Sequence, residues 1–209
     1  YHIPPAGQMI QGIDQNGVPI PQAVPQITPV AQSGSLRVDN SSGPAHGWIY
    51  QPYRNGGVNV GTADARNYQL PTAWKSTHVS DDNAAIFPWL DIDSHGNAYL
   101  VWVAGGDLFL SVSPIDDARN NPTTATGRPG TFWTPQAKLT PPGVSSTVFP
   151  EVTAGDTGRI AITFMGSTDC TPAGASDGCQ DAAHWNTYVE IITDALAAVR
   201  GTSLSVASG

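Results

Sequence analysis

The side chains best suited to chemistry lie in short, unrepeated stretches of this chain. Asp81-Asp82-Asn83 is a compact acidic cluster whose oxygens suit Ca²⁺ or sugar hydroxyls; a solvated turn cap is the plainer alternative. Tyr53 and Arg54 stand beside Gly56-Gly57, where missing side chains would let a ligand approach the backbone, or simply form a surface turn. Residues 166–186 carry Asp169, Asp177, Asp181, His184 and Trp185. A segment this long without its own periodicity is usually functional or disordered. Trp185 offers a stacking surface for a sugar ring, and burial in the core is the competing role. Cys170 and Cys179 fall in the same segment. One disulfide between them would pin the loop and imply an oxidising compartment; two free thiols are the alternative. Without a nearby His pair they make a poor zinc site, and His2, His46 and His78 share no metal-binding spacing.

Composition narrows the classes. Charged residues make up 12% of the 209, about half the usual share of roughly 25%. Gly (22) and Pro (18) are abundant, which favours strands joined by many turns over helices. With 40% apolar residues the chain is not expected to be disordered. The net charge is −8 with only two lysines, Lys75 and Lys138, so binding to nucleic acid or to an anionic membrane is disfavoured. No apolar run approaches the roughly 18 residues of a spanning helix. The chain opens at Tyr1, which fits a processed or truncated N-terminus. The low lysine content and the cysteine pair point to secretion.

The elements that must position these residues are strands. Residues 87–102 and 149–164 align without a gap at an offset of 62, each reading as strand, Gly-containing turn and strand. Strands are expected at 36–39, 47–50, 58–64 and 74–79, then 87–93, 98–103, 107–113 and 132–139, then 148–154, 160–165, 188–193 and 203–207. Three units of four strands suit an all-β fold of four-stranded antiparallel blades, a β-propeller with an incomplete ring of about three blades. The blades would span about 35–86, 87–148 and 149–209. The first strand of each is expected to be buried on both faces. Residues 189–200 also read as a helix, although Ile191, Ile192 and Thr193 favour strand. The Pro/Gln-rich residues 1–34 are expected to form an extended arm.

The connections between third and fourth strands add a family signal. Thr62-Ala-Asp64 precedes Trp74, and Ser113-Pro-Ile-Asp116 precedes Gly130-Thr-Phe-Trp133. These resemble the Asp-box of sialidase-like (BNR-repeat) propellers, in which Asp accepts turn amides, Gly supplies positive φ and Trp wedges between strands. The boxes are degenerate, because the Asp-to-Trp distance exceeds that of the compact motif. Thr193-Asp194 is a third, eroded copy.

The resemblance implies that the boxes lie on the face opposite the functional one. The candidate ligand-binding loops then become 51–57, 80–86, 104–106, 141–147 and 166–186, while His95, Asp156 and Arg159 are turn residues. It also implies, for a catalytic exo-sialidase, an arginine triad, a Tyr/Glu nucleophile pair and an Asp acid/base. Only Arg37 and Arg54 suit the triad. The two glutamates are Glu151 and Glu190, with Glu151 on a presumed inner strand and Tyr188 opening a third strand, and no complete constellation assembles. The expectation is therefore a secreted module that binds glycan or protein, with an exo-α-sialidase and a structural part of an extracellular assembly as alternatives. No cofactor is expected beyond a possible Ca²⁺. The expected partners are further blades of the same protein or of another chain, and a glycan ligand.

Overall fold

The computed structural model describes residues 32–67, 73–84, 87–170 and 183–208. It is all-β, with three antiparallel sheets that follow one another along the chain. The first contains β1 (Gln32–Ser33), β2 (Arg37–Val38), β3 (Trp48–Arg54), β4 (Val58–Asp64) and β5 (Lys75–Ser80), with β1 and β2 both paired to β3. The second is β6 (Trp89–Ile92), β7 (Ala98–Ala104), β8 (Asp107–Ser113) and β9 (Ala137–Lys138). The third is β10 (Ser146–Ala154), β11 (Ile160–Ser167), β12 (Asn186–Ile192) and β13 (Val206–Ser208). No closed ring is seen among the described residues. Of the arm expected over 1–34, residues 1–31 lie outside the described residues, and Gln32–Ser33 already belong to the first sheet.

The sheets pack face to face, and the sequence of β7 explains why the second lies in the middle. Its run Ala98-Tyr-Leu-Val-Trp-Val is apolar at successive positions, so both faces seek burial. Ala98, Leu100 and Trp102 join Tyr50, Val58 and Val60 in one core cluster. Tyr99, Val101 and Val103 join Val152, Ile160, Ile162, Phe164 and Ile192 in the other. In β11 and β12 the apolar pattern becomes alternating. Ile162, Phe164 and Ile192 are buried, whereas Thr163, Met165 and Ile191 face solvent.

Turn-to-turn contacts hold the sheets in register at one end. The Ser42 amide donates to the Ser94 carbonyl (3.3 Å), and the Ser94 amide donates to the Gly155 carbonyl (2.9 Å). Near the other end the Thr147 amide donates to the Gly106 carbonyl (2.8 Å). Gly34 allows the first sheet to meet the second, since a Cβ there would sit 1.7 Å from the Pro88 carbonyl oxygen.

Two expectations are corrected, and the choice of strand at 188–193 holds. The strand expected at 132–139 shrinks to Ala137–Lys138, because the Thr134 hydroxyl accepts from the Val112 amide (3.0 Å) and a side chain occupies the place of a ladder bond. The segment 189–200 is strand through Ile192 and then a 3-10 helix at Ala195–Ala198. The first strands are not buried on both faces: Val38 is 40% exposed, and Glu151 and Thr153 are exposed on β10. Second and third strands, β7 and β4, take that role.

Candidate functional site

Strand alternation gives the stack two ends. One carries the turns between first and second strands and the connections between third and fourth strands. The other, called the loop end below, carries the turns between second and third strands and the connections from each sheet to the next.

At the first end Asp93 is buried and fully hydrogen-bonded, whereas Asp39 Oδ2 and Arg128 Nε are buried without a hydrogen-bond partner. Asp93 closes the β6–β7 turn and is 1% exposed. Its Oδ1 accepts the amides of His95 (2.9 Å), Gly96 (3.0 Å) and Asn97 (3.0 Å). Its Oδ2 accepts Asn97 Nδ2 (2.9 Å), the Tyr99 hydroxyl (2.6 Å) and, from the next sheet, the Gly158 amide (3.0 Å). Burial alone would raise its pKa, but the Tyr99, Asn97 and Gly158 bonds outweigh that and hold it below the ordinary carboxylate range. Burial, with Asp93 beside it, drives the Tyr99 phenol upward. Asp39 and Tyr50 occupy the same register in the first sheet, where Asp39 Oδ1 accepts the Ser41 amide (2.8 Å). In the third sheet Gly155 and Ala161 replace the pair.

The Asp-box residues lie at this same end. Asp64 accepts the Arg66 amide (2.9 Å) and its side chain, which lowers the carboxyl pKa. In the second connection the carboxylate that folds back on the turn is Asp117, accepting the Arg119 amide (2.9 Å) and guanidinium (2.8 Å). Asp116, the residue expected in that role, is exposed and lies 3.1 Å from His95 Nε2. Ser113 and Thr62 are buried, and Trp74 is half-buried. Trp133 is 8% exposed, donates to the Gly130 carbonyl (3.0 Å) and packs in the cluster between the first and second sheets. Gly130 has φ +73°, and a Cβ there would press on Thr62 at 2.9 Å. Arg128, from the same connection, donates to the carbonyls of Thr62 and Ala73 (both 2.6 Å) and covers the Trp48 ring at 4.7 Å. Asp194 is bonded to Arg200.

The loop end gathers the sequence-predicted ligand residues in two groups. In the first, Arg54 donates to the Ala84 carbonyl (2.6 Å) and Asp82 Oδ2 accepts the Trp102 indole N–H (3.0 Å). Asp81 Oδ1 lies 2.8 Å from His78 Nε2. Asn83 is exposed. Tyr53 departs from the group: it is 3% exposed and its hydroxyl bonds Ser76. The carboxylates of Asp81 and Asp82 thus have separate partners, His78 and Trp102. Among the described residues no group of three His, Cys, Asp or Glu side chains is placed to hold a metal ion.

The second group caps β11 and β12. Asp169 Oδ1 accepts the Ser167 hydroxyl (2.7 Å) and the His184 amide (3.1 Å), and His184 Nδ1 lies 2.7 Å from Asp169 Oδ2. The His184 bond, followed by the Ser167 bond, holds Asp169 well below the usual carboxylate range. Ser167 and His184 both bond the carboxylate. The histidine therefore does not stand between serine and aspartate, as a nucleophile–base–carboxylate relay requires. Trp185 follows, half-buried. Cys170 is 3% exposed; Cys179, Asp177 and Asp181 lie outside the described residues.

The Tyr/Glu pair implied by the family resemblance does not form from Glu151 and Tyr188. Glu151 lies in the exposed cross-strand row with Thr163 and Val189, whereas Tyr188 stacks on buried Phe164 at 5.4 Å on the opposite face.

Sequence reasoning missed three residues. Glu190 is 1% exposed with Oε2 unpartnered, and burial pushes its carboxyl up to about 7. Its alternation with Tyr188 and Ile192 was the available signal. Phe87, two residues before β6, and Phe149, the fourth residue of β10, are exposed. Their place in the repeat made them look structural. The chain matches no protein-family model, no curated protein and no solved structure.

Proposed function

We propose that the chain is a secreted, sialidase-like β-propeller module that binds a glycan at its loop end. The observation that carries the ligand is Asp169. Ser167 and His184 orient its ionised carboxylate, and half-buried Trp185 follows His184 in the chain. An oriented acceptor and an aromatic residue on one short segment suit a ring that has hydroxyls on its rim and C–H groups on its face. Consecutive antiparallel sheets stacked face to face, with successive turns bonded to one another, support reading each sheet as a blade. The separate engagement of Asp81, Asp82 and Asp169, together with the split of Glu151 from Tyr188, favours binding over glycoside hydrolysis.

The test is a glycan array probed with the full chain and with Trp185→Ala. Binding by the full chain that the variant loses supports the reading. Turnover of a fluorogenic sialoside would replace it with the enzyme.

A second reading, a part in a larger extracellular assembly, rests on the outer face of the third sheet. There Met165, Val189 and Ile191 are 37–52% exposed. The repeat-equivalent face of the second sheet is covered. Self-association abolished by Ile191→Asp would favour this reading.

A further inference from the structure

Phe87 and Phe149 extend the glycan reading, on which this inference rests, to the class of glycan. The two are equivalent in the 62-residue echo, and each precedes a proline, Phe87 just ahead of β6 and Phe149 within β10. Their rings remain open to solvent, 43% and 59% exposed. Among the described residues Phe149 is the only non-glycine at positive φ, at 53°. It falls within a register shift between Val148 and Glu151, a bulge that aims the side chain away from the regular alternation. A bulky residue is disfavoured in this backbone region and persists only where its surroundings impose it. Here the strained residue has not been buried in compensation. It lies three residues along β10 from Ser146, which pairs with Ser167 at the end of β11 that Asp169 follows.

Charge then selects the ligand. An anionic sugar calls for guanidinium forks. Most of the seven arginines are committed elsewhere. Arg66, Arg119 and Arg200 pair with Asp64, Asp117 and Asp194 at the opposite end, and Arg128 clamps Thr62 and Ala73 there. Arg159 lies in the β10–β11 turn of that end, and Arg37 pairs with Asp91 (3.3 Å). Arg54 alone reaches the loop end, where it donates to the Ala84 carbonyl. Lys138 pairs with Asp107 (2.8 Å). The exposed acceptors at the loop end are the carboxylates of Asp81 and Asp169, with His78 and His184 each bonded to one of them. This field repels a carboxylate-bearing sugar and accepts hydroxyl donors.

We propose that the loop end binds an uncharged glycan, with Phe149 and Phe87 as its stacking platforms and Asp169 as its hydroxyl acceptor. The experiment presents neutral oligosaccharides and their sialylated counterparts to the full chain and to Phe149→Ala, Phe87→Ala and Phe149→Trp. Thermal melting of each variant accompanies the binding measurement. The expected result is binding of neutral glycans in preference to sialylated ones. Each alanine variant should weaken it about three- to tenfold with melting preserved, and Phe149→Trp should retain it. Neutral binding unaffected by both alanine variants overturns the platforms. Preference for the sialylated forms overturns the ligand class. In both of those outcomes glycan binding itself stands. Binding of neither class overturns this inference and the glycan reading together.

Discussion

Asp93 and Asp169 carry the same functional group at opposite ends of the stacked sheets. Asp93 is 1% exposed and takes bonds from its own turn, from Tyr99 and from the following sheet. Asp169 has a side chain 46% exposed and is oriented by Ser167 and His184 while keeping an open side. Both ionise more readily than an ordinary aspartate, through hydrogen bonds in each case. One carboxylate spends its acceptor capacity on the fold, and the other has some left for a ligand. The difference extends to the cations. The arginines cluster at the Asp93 end, where they brace turns, and the loop end is left acidic.

The comparison breaks most easily at Asp93. Asp93→Ala removes the acceptor for six donors, several of them buried, and should cost about 4 kcal/mol in urea unfolding, within the range for disrupted buried charge networks. A loss below about 1 kcal/mol would remove the contrast between the ends.

The seam between the second and third sheets gives the next effect. Glu190 has a folded pKa of about 7 against 4.5 for the ordinary side chain. Because the folded value is the higher one, its contribution is fully present below about pH 4.5 and is lost as pH rises through 7. The loss should approach about 3 kcal/mol by pH 8. Glu190→Gln should flatten this dependence, which denaturation at pH 5 and pH 8 would show.

Arg128→Ala comes third, at about 2 kcal/mol, because it strands the Thr62 and Ala73 carbonyls and uncovers Trp48. A smaller change in stability is expected from His78→Ala at the loop end. That contact with the fully exposed Asp81 carboxylate is screened by water, and thermal melting would show the small shift.

Much of the fold was legible because strand signals are local. The bounds expected for 58–64 and 107–113 coincide with β4 and β8. The Asp93-Ser-His-Gly-Asn97 turn was readable from its glycine and asparagine. The Gly158 amide on Asp93 was not, since 65 residues separate the two. Trp133 could be read as a wedge, yet its turn carboxylate came out as Asp117 where Asp116 was expected. Two adjacent aspartates cannot be distinguished by a motif without the backbone that places them.

Among the loop-end residues, Arg54, Asp81 and Asp82 were rightly grouped by strand alternation. Tyr53 was not, because neighbouring residues of β3 point to opposite faces. Phe149 escaped notice because its significance lies in a bulge and a positive φ, neither of which a repeat alignment reveals.

The central claim, that one end folds the chain and the other binds, is tested most directly with Asp169→Ala, by measuring its binding to neutral glycans against that of the unsubstituted chain at matched thermal stability. The account predicts an unchanged melting temperature and lost binding. Full binding by the variant, or a collapse in its stability comparable to that of Asp93→Ala, would contradict it.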